Sequence, residues 1–486
     1  MYGMLNRKLL EVLHRLDVTE RKRLRLLLQS PYFNGAHQAE SLIRLYDYII
    51  RYDANETDPM LDKQRVFNYF FPDKLFEDGQ KSSLDGWMTR LFGLVRTFLA
   101  QERLNRNPYE TEYQELLSWM HFCRKYGLEE RFWQVTQSLK KLQDEHISRG
   151  AEFYHKQFRL AAEITAFKTL SNSFQDDANI ISTSVYLDTY YSILHLEMAC
   201  ALLYQHQLSQ NETVFDYRQT EFVLTLAQNG GFEHLPLIEI YQLVYSLLQN
   251  PENEEAHQRF ETLLEENMHQ IPAETLSNLK AYQRHFWVRY YTRSGNPFFR
   301  TKLFELYKEH FEQGYFYIEG SITVQALRML TIFALKLGHF DWAKQVLDQH
   351  PPARICGTRY PLEAYNLNLA EYHFYKKEYT QAIEKLQYRL FENPHFSILV
   401  DVLLIKIYVE TQDDLLDSRM KAFEQKVRRN KLSAESKARY NNFLKKLDKV
   451  IRLGWQKNSS RIDKIKQEIQ SIPHIIEREW LLEKLS

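Results

Sequence analysis

Glycine and proline are scarce in this chain: 15 and 13 among 486 residues. Phosphate-cradling loops and strained nucleophile turns are built from glycine, and no Walker-type, dinucleotide-binding or Gly-x-Ser-x-Gly pattern occurs. The Val/Ile/Thr alternation of half-buried strands is almost missing, so the chain reads as all-α with very few strands. Cysteine is rarer still. Cys123, Cys200 and Cys356 are far apart, odd in number and in no Cys-x-x-Cys pattern. That excludes a disulfide framework and leads us to expect free buried thiols in a reducing compartment. No apolar run reaches membrane-spanning length, and the N-terminal residues lack a signal-peptide core, so a cytoplasmic protein without membrane contact is expected. There is no His-Glu-x-x-His. His121 and Cys123 are two apart, and on a helix they point about 200° away from each other, so they cannot share a metal. Paired acids such as Asp176-Asp177 and Glu265-Glu266 fit polar loops or solvated helix faces. No catalytic residue, cofactor or metal is expected, which favours a protein that binds over one that catalyses.

What the chain does have is apolar and aromatic bulk, 44% and 14%, with 31 tyrosines and 30 phenylalanines. This is ample for helix–helix interfaces. It also has an internal repetition. Aligned on Ala343 and Ala382, Leu330 matches Leu369, Gly338 matches Lys377, Phe340 matches Tyr379 and Leu347 matches Leu386, a period of 39 residues. Pro351 follows the first copy and Pro394 the second. In each copy a first amphipathic helix ends at a turn, where Gly338 tolerates positive φ. A second helix then opens on an aromatic residue. The small alanine sits where the two helices cross. Such a hairpin cannot bury its apolar face alone, and stacked neighbours bury it together.

These leucine, aromatic, alanine and proline positions resemble the tetratricopeptide repeat, most strongly over 323–396. The resemblance implies a right-handed α-solenoid whose groove, lined by the first helices, takes protein segments. The period exceeds the roughly 34 residues of the family. The family's first tryptophan position is Leu327 or Asn366 here, and its later aromatic is Ala334 or His373. Chaperone-binding members of that family grip a C-terminal carboxylate with a Lys and Asn clamp. The corresponding positions here are Arg328 with Ile332, Leu367 with Glu371, and Val402 with Lys406. Glu371 would repel a carboxylate, so that mode is rejected, while Arg328, Glu371 and Lys406 stay candidate partner contacts. Near the N-terminus, Ser30 to Asn34 and Lys63 to Pro72 resemble uncharacterised helical-repeat proteins of Bacteroidota. That likeness implies a bacterial cytosolic setting and no particular activity.

Punctuation divides the chain into a small helical domain (1–105, ending at Asn105–Pro108), an α-solenoid (106–420) and basic C-terminal helices (421–486) that could cap the array. Thr19 is expected to N-cap the second helix, and Gly127 to turn a hairpin. Repeat-like hairpins are expected at about 273–316, 323–352, 362–395 and, degenerately, 397–430. Two further features could bind a partner. Phe286, Trp287 and Tyr290 fall on one helical stripe, leaving Arg284, Arg289 and Arg293 mostly outside it, as a solvated face or as contacts for a partner. Net charge is zero, from 63 basic and 63 acidic residues, yet Lys421 to Lys466 holds fifteen Lys and Arg against four acids. That block, including Arg428, Arg429, Lys445 and Lys446, could dock on the acidic remainder, bind an acidic protein or touch nucleic-acid phosphate. The neutral whole and the lack of a base-reading motif weaken the last option. The sequence favours an interaction scaffold over a nucleic-acid-associated regulator and does not name the partner or the oligomeric state.

Overall fold

A helix leaves its last carbonyls without partners, and among the described residues this chain resolves that in the same way five times. At Gly127, Gly314, Gly338, Lys377 and Gln412 the backbone enters the left-handed region, with φ between 51° and 84° across the chain's positive-φ positions. The next N–H then returns to the carbonyl five residues back: Leu128 to Cys123, Tyr315 to His310, His339 to Ala334, Glu378 to His373 and Asp413 to Tyr408. This is the Schellman arrangement. It reverses the chain within two residues and lays the following segment against the helix it has just left.

The computed structural model describes residues 5–52, 58–76, 83–170, 177–209, 218–229, 235–294, 297–318, 320–387, 391–430, 432, 434–453, 459–472 and 475–485. The fold is all-α. The chain divides into two compact units, 1–194 and 195–486. In the first, α1 (Arg7–Arg15), α2 (Val18–Gln29), α3 (Ala36–Arg51), α4 (Lys63–Phe70) and α5 (Ser83–Asn105) enclose one apolar core. Leu42, Leu45, Tyr46 and Ile49 of α3 all point into it, as their spacing implies. The cap of α2 is Asp17, not Thr19. Asp17 accepts from the Thr19 and Glu20 N–H groups, and the Glu20 carboxylate accepts from the Asp17 N–H, closing a capping box. A second core is shared by α6 (Pro108–Lys125), α7 (Glu129–Glu145) and α8 (Ala151–Leu170), with Cys123 fully buried in it. The boundary expected at Asn105–Pro108 falls between α5 and α6.

The division falls within α9 (Ala178–Ser209), and α10 (Arg218–Asn229) follows. The second unit then runs through antiparallel pairs: α11 (Pro236–Gln249) with α12 (Glu254–Asn267), α13 (Ala273–Ser294) with α14 (Pro297–Glu312), α15 (Val324–Lys336) with α16 (Phe340–Gln349), α17 (Pro361–Tyr375) with α18 (Tyr379–Gln387), and α19 (Pro394–Thr411) with α20 (Leu416–Arg429). The two aligned stretches are thus the hairpins α15/α16 and α17/α18. Ala343 and Ala382, near the start of their second helices, have no exposed surface. First helices also pack on first helices, α15 on α17 and α17 on α19. Pro361 and Pro394 do more than stop what precedes them. Each opens the next first helix, where its missing N–H is harmless.

Among the described residues three very short strands interrupt the helices. β1 (Tyr317–Ile318) pairs antiparallel with β2 (Ser321–Thr323), and β2 pairs parallel with β3 (Ile355–Cys356), Ile322 lying opposite Ile355. Cys356 is therefore half-buried in a strand rather than in a helical core. The unit closes with α21 (Ala434–Leu453), α22 (Ser459–Ser471) and α23 (Arg478–Glu483). Among the described residues, no helix is long and apolar enough to cross a membrane.

Candidate functional site

The positions that would line a groove recur at intervals of four along each first helix, so they form one stripe per helix. On α15 the stripe is Arg328, Ile332 and Lys336. On α17 it is Leu367, Glu371 and Tyr375, and on α19 Val402, Lys406 and Glu410. Much of this surface is already covered by residues 475–485. Lys406 is only 2% exposed; its Nζ donates to Glu477 Oε2 at 2.8 Å and lies 4.5 Å from the Phe374 ring centre. Lys336 pairs with Glu479 at 3.1 Å. Glu410 accepts from Trp480 Nε1 at 2.9 Å and from Lys484 at 2.5 Å. Trp480 and Leu481 are buried in the unit's core. Burial works against the Glu477 carboxylate, yet Lys406 beside it, helped by Lys336 and Arg328, holds it below the usual carboxylate range. Burial and the nearby Glu371, Glu477, Glu479 and Glu483 push the Tyr375 phenol up.

Two of the expected partner contacts are therefore corrected. Lys406 is a sealed cation, because α19 is buried on every side over residues 400–408. Glu371 is 6% exposed and already engaged by Arg328, Nη2 to Oε1 at 3.2 Å across α15 and α17. Its carboxylate serves to hold two first helices together. Arg328 stays half-buried, with Nη1 buried and lacking a hydrogen bond among the described residues. The part of the stripe left open is on α15. Gln325, Arg328, Met329, Ile332, Phe333 and Lys336 line a largely apolar hollow of about 440 Å³.

No protein-family model, curated protein or solved structure matches this chain.

The arginines of α13 separate from one another. Arg284 is 8% exposed and not on an outer face, which corrects the expected partner contact. Its guanidinium lies 4.2 Å from the Phe316 ring centre and donates to His310 Nδ1 at 2.9 Å. A guanidinium can only donate, so His310 accepts as the neutral imidazole. Burial, then the charges of Arg284 and Lys280, push His310 down to about 2, and burial lowers Arg284 itself to about 10. Arg289 is half-buried. The side chains of Tyr290 and Arg293 lie outside the described residues, whereas Phe286 is buried and Trp287 half-buried as expected.

The basic block is largely spoken for. Lys426 reaches Asp401 of α19 at 2.5 Å, beside Arg419 at 3.1 Å. Lys446 and Lys449 both pair with Glu468 of α22, at 2.5 and 2.8 Å, and their hydrogen bonds pull that carboxyl down to about 2. Lys446 is thus a strut between α21 and α22, correcting its place in a free patch. Arg428, Arg429 and Lys445 are exposed and have no side-chain ion pair among the described residues. Gly338 holds φ at 81° in its turn as expected. Among the described residues no group of three His, Cys, Asp or Glu could hold a metal ion.

Sequence reasoning missed the covering segment. The signal was present: Glu477, Glu479 and Trp480 complement Lys336, Lys406 and Glu410. Nothing in local periodicity brings residues so far apart in sequence together.

Proposed function

We propose that this chain is a non-enzymatic scaffold that holds a segment of another protein against the open face of α15, within a right-handed, tetratricopeptide-like α-solenoid. The observation that carries this reading is the side-by-side packing of α15, α17 and α19, each backed by its own second helix. The fully buried alanines at 343 and 382 support it. Units that pack only on neighbours present a long continuous face, which suits extended partners. Met329, Ile332 and Phe333 suit an apolar anchor, while Arg328 and Lys336 beside them are already engaged by Glu371 and Glu479. A reducing cytoplasm accords with three free cysteines, two of them buried. The nucleic-acid reading loses ground, because Lys426, Lys446 and Lys449 are occupied by carboxylates of the same chain.

A photo-crosslinking residue at Met329 tests the reading in host lysate, with the same residue at Leu75, which is 92% exposed, as the control. A discrete adduct at Met329, absent at Leu75 and lost with Ile332→Asp, is the expected result. Identical adducts from both positions, or none from Met329, would end the proposal.

A further inference from the structure

Lys280 of α13 is 4% exposed, and among the described residues its ammonium has no hydrogen bond and no ion pair within 4.0 Å. The side chain is taken out of water while its ammonium opens on its surroundings, where Glu309, Glu261 and Glu265 act on its charge, so those surroundings matter. Lys280 lines a hollow of about 280 Å³ between α12, α13 and α14. That is just below the roughly 300–1,000 Å³ of drug-sized pockets, and it suits a small molecule. Its neighbours on α13, Gln283 and Trp287, share its face and both donate to Glu261 of α12, the indole at 3.1 Å. Glu261 is thereby held as a fixed polar wall. Glu265 of α12 and Glu305 and Glu309 of α14 also line the hollow, and all three are exposed. Glu265 and Glu305 have no ion pair among the described residues, while Glu309 accepts from Gln313 at 3.2 Å.

Lys302 of α14, exposed, lines the rim as well. A ring of carboxylates alone would call for a cation, and an ammonium without a hydrogen bond alone for an anion. The two occur in one hollow. We infer that this hollow is a binding site for a small zwitterion of the amino-acid class, its carboxylate on Lys280 Nζ and its ammonium among Glu265, Glu305 and Glu309. This site lies on α12–α14 and is separate from the α15 face. Burial lowers the Lys280 ammonium and the Glu309 charge is the largest influence opposing it, so an added carboxylate would favour the charged form further.

Saturation-transfer NMR on the full chain tests this with glycine, 4-aminobutyrate and 6-aminohexanoate, zwitterions of increasing charge separation, each at up to about 10 mM. Acetate and putrescine carry the two charges separately. At least one zwitterion should bind saturably, at least tenfold more tightly than either separated half, and Lys280→Met should abolish it. Should Lys280→Met fail to fold, Glu305→Gln changes an exposed residue and should still weaken binding severalfold. No binding by any zwitterion, equal binding of putrescine or acetate, or zwitterion binding untouched by both variants would overturn the assignment.

Discussion

Lys406→Met is the sharpest perturbation of the covering segment. Lys406 Nζ loses a 2.8 Å bond to Glu477 and a position over the Phe374 ring, and Glu477 is left without its principal counter-charge. Breaking one partner of a fully buried pair costs about 3–5 kcal/mol; Glu477 keeps a quarter of its side chain exposed and has Lys336 and Arg328 nearby, so the low end, about 3 kcal/mol, applies. The lost cation–π contact adds about 0.5–2 kcal/mol. Glu477→Gln should cost less, since the neutral amide still accepts a hydrogen bond. The double variant should recover much of the Lys406→Met loss, as a neutral pair of similar shape needs no counter-charge. A 486-residue chain in two units need not unfold in one step, so the local opening of 475–485 is the quantity to measure. Hydrogen–deuterium exchange of peptides covering that segment reads it directly. A loss of about 3 kcal/mol speeds exchange by about 100-fold. Unchanged exchange in both single variants, or strictly additive effects in the double, would refute a coupled buried pair.

Three further expectations follow from the geometry. Ala343→Trp and Ala382→Trp each put a large ring where no surface is exposed, and each should destabilise by about 1–3 kcal/mol or more; unchanged melting for both would contradict the hairpin register. Lys377 holds φ at 63° in the turn that Gly338 holds at 81°, so Gly338→Ala should cost about 1 kcal/mol, whereas Lys377→Gly should gain between zero and about 1 kcal/mol in urea unfolding. His310 has its folded pKa depressed to about 2 from an ordinary value near 6.5; its contribution is complete above about 6.5 and lost as pH falls toward 2. Lowering pH from 7 to about 4.5 should therefore destabilise the second unit by about 2–3 kcal/mol through this group, and His310→Gln, which keeps an acceptor for Arg284, should flatten that dependence.

Much of the helical order was legible in the sequence. Apolar spacing located α3 and the hairpin helices, and Gly127 and Gly338 marked reversals because glycine alone adopts positive φ without penalty. Lys377 and Gln412 make the same turn with a Cβ; the alignment with Gly338 placed the first, and nothing in composition announced the second. Asp17 and Thr19 are both good caps; Glu20, three residues after Asp17, was the overlooked signal, since it completes the reciprocal box. Arg284 was misplaced because spacing along α13 says nothing of Phe316, which reaches it from an irregular turn. Lys406 carried a readable warning: a helix running Ile398-Leu-Val-Asp-Val-Leu-Leu-Ile405 is apolar all round and must be covered. The cleft at Lys280 was illegible, because it exists only where three helices converge.

The short strand pair β2–β3 gives the α15/α16 hairpin a tie that its neighbours do not have among the described residues. Ile322 and Ile355 lie opposite each other immediately before α15 and shortly after α16, so the two ends of this segment are knotted together at their base. A hairpin held only by its faces frays from a free end, one turn at a time. One tied at both ends cannot shed its second helix without parting the strands. The stretch from Ile322 to Cys356 should therefore open as a single cooperative step, making the helix that bears the open apolar hollow the part of this unit least prone to gradual loosening.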